Sequence, residues 1–230
     1  MDSHTTLVKE HFDIKYADYD QLIRRLIPRY EELHEEVVRQ IDYPTNIPLT
    51  ILDLGVGTGQ TGLALLTKFP QATLHGVDIS SHMLSQAESR LEKVRSRVTL
   101  EEQDIASLTV SDHYDVCVAV LSVHHLNEPQ KQVLFKILSD CLMPGGILVI
   151  GDIVTFDNPG IAALRLEEWK QHLMKNLGEE QGKYWFENHL EEDLPSSVTR
   201  QISWLQQAGF TKVQASWEYM NYAVIVAKKE

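Results

Sequence analysis

The feature that most constrains this chain is the run Ile51-Leu52-Asp53-Leu54-Gly55-Val56-Gly57-Thr58-Gly59. A short apolar strand enters a glycine-rich turn, and a helical pattern over 63–69 leaves it. Glycines at such a strand-to-helix turn let the backbone approach a ligand closely. The pattern then repeats. Strands are expected over 72–77, 98–101, 114–121 and 147–151, and helices over 80–93 and 129–142, with Ser80 or Ser81 capping the first of these. The run over 114–121 is continuously apolar, as in a strand buried on both faces. This β-α-β-α alternation predicts an α/β fold, a doubly wound, mostly parallel sheet. After Asp152 the alternation stops. Residues 155–195 read as a helical cap inserted over the sheet. A helix over 196–208 closes at Gly209. Two strands over 212–220 and 222–228 form a terminal antiparallel hairpin. Ahead of the core, 1–48 reads as a helical lid broken at Pro28, and 49–230 as the core.

Composition narrows the function. There are 21 Lys and Arg against 33 Asp and Glu, a formal charge of −12. A field of that sign does not attract polyanions, so nucleic acid is not the expected partner. No apolar run approaches the ~20 residues of a membrane helix, and the N-terminus does not read as a signal peptide. The two cysteines, Cys117 and Cys141, sit in apolar stretches as small buried hydrophobes. A cytoplasmic protein acting on a small molecule is the expectation. A homodimer is among the assemblies the sequence allows.

The spacing Gly57-x-Gly59-x-x-Gly62 matches the dinucleotide fingerprint literally. The acids argue for a different ligand. Asp53, two positions before the first glycine, would face the ligand crevice, where it opposes a pyrophosphate and suits ammonium and sulfonium charges. Asp78 ends the second strand, where a carboxylate can accept both ribose hydroxyls. Asp104 follows the third strand, where it could accept from an adenine amino group while Ile105 packs on the ring. Any one of these could be a loop cap. Three in successive β-α units form a pattern.

Together with Gly76-Val77-Asp78-Ile79-Ser80 and Met143-Pro144-Gly145-Gly146, the glycine run resembles the class I S-adenosylmethionine-dependent methyltransferases, over about 49–228. The terminal hairpin fits that family's reversed last strand. The resemblance implies S-adenosylmethionine as cofactor. Gly55 and Gly57 would approach its methionine part, Asp78 its ribose, Ile79 and Met83 the adenine pocket, and Asp104 the adenine amino group. Leu121 would offer its carbonyl to the methionine ammonium.

For the chemistry, His124 or His125 follows the fourth strand and could act as a base. Each could equally be packing or capping. Tyr16, Tyr19, Trp185 and His189 are the expected acceptor contacts, with Arg24 or Arg29 for an acidic acceptor. No metal is expected: Glu187 and His189, two apart, would need an extended segment to share one. Phe12-Asp13, Tyr16-Ala17-Asp18-Tyr19-Asp20, Ile23-Arg24 and Ile27-Pro28-Arg29-Tyr30, with Glu187-Asn188 and Gln207-Ala208-Gly209-Phe210, are similar to carboxy-S-adenosylmethionine synthases of tRNA wobble-uridine modification. That resemblance implies an Arg about four residues before Glu-Asn, to meet the extra carboxylate. Lys183 stands there, in an acidic cap. The departure favours ordinary methyl transfer over carboxyl transfer. A non-catalytic nucleotide-binding protein is the alternative from another class.

Overall fold

In the computed structural model, residues 19–230 are described; Tyr16 and the rest of the first 18 positions lie outside them. Seven strands form one sheet: β1 (Thr50–Leu54), β2 (Thr73–Asp78), β3 (Val98–Glu102), β4 (Tyr114–Val120), β5 (Leu142–Ile153), β6 (Lys212–Tyr219) and β7 (Tyr222–Lys228). Their order is β3-β2-β1-β4-β5-β7-β6. The first five run parallel, and β7 is antiparallel to both β5 and β6. The doubly wound sheet and its reversed terminal hairpin are therefore as expected. β5 is longer than its apolar run, because Leu142 already pairs with Tyr114 before the register shifts at the Pro-Gly-Gly segment.

Strand residues alternate between two cores, as the pleat requires. Ile51, Val116, Val118, Ile147 and Val149 face one, and Leu52, Cys117, Ala119, Leu148 and Ile150 face the other. The first core is covered by helices α1 (Tyr19–Leu26), α2 (Tyr30–Gln40), α3 (Gln60–Lys68), α4 (Ser81–Arg90) and α6 (Pro159–Leu177). The second is covered by α5 (Glu128–Cys141) and α8 (Val198–Ala208). Both faces are buried, which is why the central strands carry no polar alternation.

The local signals are physical. Ser80 caps α4 by accepting from the Met83 N–H at 3.2 Å. Asn127 and Gln130 form a reciprocal capping box at the start of α5. The cap is two helices, α6 and α7 (Glu179–Glu192), joined at Gly178, whose φ of 87° a side chain would strain. No helix among the described residues is long and apolar enough to cross a membrane.

α2 lies directly on the sheet at Gly151, where a Cβ would fall 2.7 Å from Val37 Cγ2 and 3.6 Å from Leu33 Cγ. Both α2 side chains are fully buried, so neither has room to give. Gly151→Ala should cost about 1–3 kcal/mol, the usual penalty for overpacking. Urea unfolding of the two proteins measures it; an unchanged midpoint would mean that α2 is not seated there.

Candidate active site

β1 and β4 are neighbours whose onward connections leave in opposite directions, to β2 on one side and β5 on the other. A crevice opens beyond their carboxyl ends at such a switch point. Gly55 and Val56 fold back so that both N–H groups donate to the Val77 carbonyl, at 2.8 and 3.0 Å. Gly55 has φ 71°, and a Cβ there would sit 2.5 Å from Ser122 Cβ. Only glycine fits, because Ser122 crosses the crevice floor to donate from Oγ to the Leu54 carbonyl at 2.7 Å.

The acids fall in two tiers. Asp78 lines the pocket and shapes it: Oδ2 accepts from the Gly57 N–H at 2.8 Å and Oδ1 from the Ser80 N–H at 2.9 Å. Asp104 also lines it, while capping the turn over Ile105–Ser107 through the Ala106 N–H at 2.8 Å. Gly55, Gly57, Ile79, Met83, Ile105 and Leu121 line the same space. Leu121 has φ 54°, uncommon for a branched side chain. Asp53 does not face the crevice as expected. It is 1% exposed beneath the loop, and its Oδ2 has no hydrogen-bond partner. Oδ2 points toward α3, 3.5 Å from where a Gly62 Cβ would be. Burial, reinforced by the charge of Asp78, pushes the Asp53 carboxyl up to about 7.

The lid supplies the opposite wall through Tyr19, Ile23, Tyr30 and His34. Tyr30 and His34 are one turn apart on α2, with ring centroids 4.3 Å apart, and His34 Nδ1 lies 3.1 Å from Thr61 Oγ1. That i, i+4 spacing was present in the sequence, but neither residue was among the expected site residues. Asp20 latches α1 to the core: its Oδ1 accepts from Thr58 Oγ1 at 2.9 Å, and its Oδ2 pairs with Arg90. Arg90 also reaches Thr58 and Gln60.

Four other expected contacts are not brought into this pocket. Arg24 donates to Glu31 at 2.6 Å and lies over the Tyr30 ring, and Arg29 stacks on Tyr219. Trp185 packs toward the first core, because α7 turns its apolar face to α6. His189 packs edge-on to Trp169 and lines a separate cavity beneath the cap. The lid walls the crevice, and none of residues 155–195 lines it.

The two histidines part company. His124 is 5% exposed and does not line the pocket, because Asp152 takes it twice. The His124 N–H donates to Asp152 Oδ2 at 2.9 Å, and Nδ1 lies 2.5 Å from Oδ1. Burial disfavours its charge, but Asp152 and Asp193 outweigh burial and raise its pKa. His125 does line the pocket, and burial, helped by the His124 charge, lowers it to about 3. Neither is a poised base at neutral pH, since one is engaged and the other scarcely basic.

A family model described as a methyltransferase domain matches residues 51–146, which contain the glycine loop, Asp78, Asp104 and both histidines. The chain thus carries a methyltransferase domain over those residues. Among similar proteins, the carboxy-S-adenosyl-L-methionine synthase of Trichodesmium erythraeum is 29% identical over 221 residues, covering 92% of this chain and 85% of that one. The magnesium protoporphyrin IX methyltransferase of Synechocystis PCC 6803, solved with bound SAH, superposes with TM-score 0.67 at 16% identity, over 99% of this chain and all of that one. The apo methyltransferase SibL superposes with TM-score 0.63 at 19% identity, over 86% of this chain; the chain spans 55% of SibL's length. These two likenesses are of fold.

Two outcomes test this geometry. Burial lowers His34 from 6.5 to about 4. Between those values the unfolded chain holds the extra proton, so acidification favours unfolding. Stability should fall as pH drops from about 6.5 to about 4, and His34→Gln should flatten that part of the profile in urea titrations. Separately, Asp20→Ala should speed hydrogen exchange across Tyr19–Leu26 while leaving β1 to β5 protected. Equal protection in both proteins would remove Asp20 as the latch.

Proposed function

We propose that this chain transfers the methyl group of S-adenosylmethionine to a small-molecule acceptor in the crevice above β1 and β4. The observation that carries this reading is the sign of the pocket. Asp78 and Asp104 line it, Asp53 lies beneath it, and no Lys or Arg among the described residues does. A pyrophosphate would meet two carboxylates and no Lys or Arg there, whereas a ligand with ammonium and sulfonium charges is attracted.

The cofactor supplies an electrophilic methyl on its sulfonium. The chain's own residues orient and enclose. Asp78 is the candidate for the ribose hydroxyls, since a carboxylate oxygen accepts more than one hydrogen bond. Ile79, Met83 and Ile105 give apolar walls for the adenine, with Asp104 at its edge. Tyr19 and Tyr30 close the crevice and exclude water. His125 stays neutral and can accept a hydrogen bond without taking the proton. The rate then comes from alignment rather than proton abstraction. The acidic surface and the two buried free cysteines fit a small acceptor and a reducing cytoplasm.

Carboxyl transfer, the activity in the name of the Trichodesmium relative, finds less support. Lys183, where the resemblance implies a carboxylate-binding Arg, is 67% exposed and lies 3.6 Å from Glu187 on the cap surface. Mass spectrometry of the copurifying ligand separates the readings: S-adenosylmethionine or S-adenosylhomocysteine for methyl transfer, a carboxylated cofactor for the other.

Titration calorimetry should show binding of S-adenosylmethionine and S-adenosylhomocysteine and little of NAD. Tight NAD binding without a response to the other two would overturn the reading. Asp78→Asn should weaken S-adenosylhomocysteine by about 1.5–3 kcal/mol, the worth of hydrogen bonds to a charged group; because the new amide NH2 cannot accept from both the Gly57 and Ser80 N–H groups, circular dichroism and urea unfolding of the variant separate lost binding from a disturbed loop.

A further inference from the structure

Beside the crevice lies a second cluster that methyl transfer does not require. The turn Val123–His125 after β4 and the residue just past α7 meet there. His124 Nε2 is 3.5 Å from Asp193 Oδ1, and His125 Nδ1 is 3.4 Å from that same oxygen. All three ligand-type atoms lie within 4.8 Å of one another. We propose that His124, His125 and Asp193 form a site for a divalent transition-metal ion of zinc type. It stands independently of the methyltransferase reading.

Three observations carry it. The first is spacing. A tetrahedral ion with bonds of about 2.0–2.1 Å has ligand-to-ligand edges of about 3.3–3.4 Å. Both measured edges to Asp193 are close to that, and the third, between the two rings, is within 4.8 Å and closes on binding. The second is the support behind the ligands. Asp152 holds His124 by its ring Nδ1 and its backbone N–H, so Nε2 is the nitrogen presented to Asp193. His189 Nδ1 holds the other Asp193 oxygen at 2.5 Å. A carboxylate behind a ligating histidine, and a donor behind a ligating carboxylate, are what orients metal ligands. Two aspartates and three histidines gathered in this way are costly to bury for packing alone.

The third observation is access. His125 lines the cofactor crevice, and Asp193 lines the cavity beneath α6 and α7. On that cavity's wall Asn221 is 4% exposed, with neither polar atom of its side-chain amide partnered. The cavity is therefore built to hold water or another polar group next to Asp193. Three protein ligands leave one tetrahedral position open, as in catalytic rather than structural zinc sites. An oxygen or sulfur atom of a ligand entering from the crevice could occupy it. The spacing of Glu187 and His189 gave no hint of this set; the cap had to fold back before Asp193 could meet the histidine pair.

The simpler use of the same atoms is an ion cluster in which a protonated His124 bridges Asp152 and Asp193. Metal uptake decides between them. Chelator-treated full-length protein should bind one equivalent of Zn²⁺ by calorimetry. Co²⁺ in its place should give the intense visible bands of a four-coordinate ion. Asp193→Asn and His125→Gln should each lower Zn²⁺ affinity at least tenfold. His189→Gln, behind the ligands, should lower it less. Circular dichroism and urea unfolding on the same samples report whether each variant is folded. His125→Gln serves as the readout if Asp193→Asn does not fold. No stoichiometric zinc uptake, uptake that His125→Gln leaves unchanged, or a six-coordinate Co²⁺ spectrum would each overturn the proposal.

Discussion

The site depends on one close approach. Ser122, just past β4, bonds the end of β1 through its hydroxyl and lies where a side chain on Gly55 would be. That contact sets the floor of the crevice at the point where the sheet changes direction. Gly55 and Val56 then turn back onto Val77, which brings β2's terminal Asp78 under the loop as its acceptor. Loop, β2 end and β4 end are thus fixed by a few short hydrogen bonds, on strands too buried to shift.

On that floor the charges are one-sided. A carboxylate buried without a partner costs free energy, and Asp53 answers that cost by taking a raised pKa. A packed apolar residue in its place would fold more cheaply. The charges that reach the crevice itself are those of Asp78 and Asp104. Asp78 and Asp104 serve the fold as well as the pocket, since each also accepts from backbone N–H groups. For them one geometry holds the loops and forms the pocket wall.

The two coverings do different work. The lid helices reach the crevice with Tyr19, Ile23, Tyr30 and His34, and α1 is tied down by Asp20 at a part-exposed ion pair. Such a tie is weak enough to break when a ligand enters or leaves. The cap helices turn Trp169, Trp185 and Phe186 inward on each other and on the core. They touch the Val123–His125 turn through Asp193, which meets both His124 and His125. The cap therefore bears on the crevice through buried polar groups, and the lid through aromatic rings.

By itself the sequence determined what periodicity and local chemistry can determine. The strands, the glycine turn, the reversed hairpin, the Ser80 cap and the positions of Asp78 and Asp104 follow from apolar runs and from residue types beside them. These are short-range signals, and a buried parallel strand announces itself by having no polar side. What the sequence could not determine was which way side chains turn when remote segments meet. His124 and His125 are adjacent in the chain, yet Asp152, 28 residues on, draws one away and leaves the other at the crevice. Tyr30 and His34 became pocket residues because α2 lies along the sheet at Gly151. Asp193 met the histidines because α6 and α7 double back at Gly178. Helix packing and the pairing of buried charges are long-range choices, made only when the tertiary fold brings the partners together.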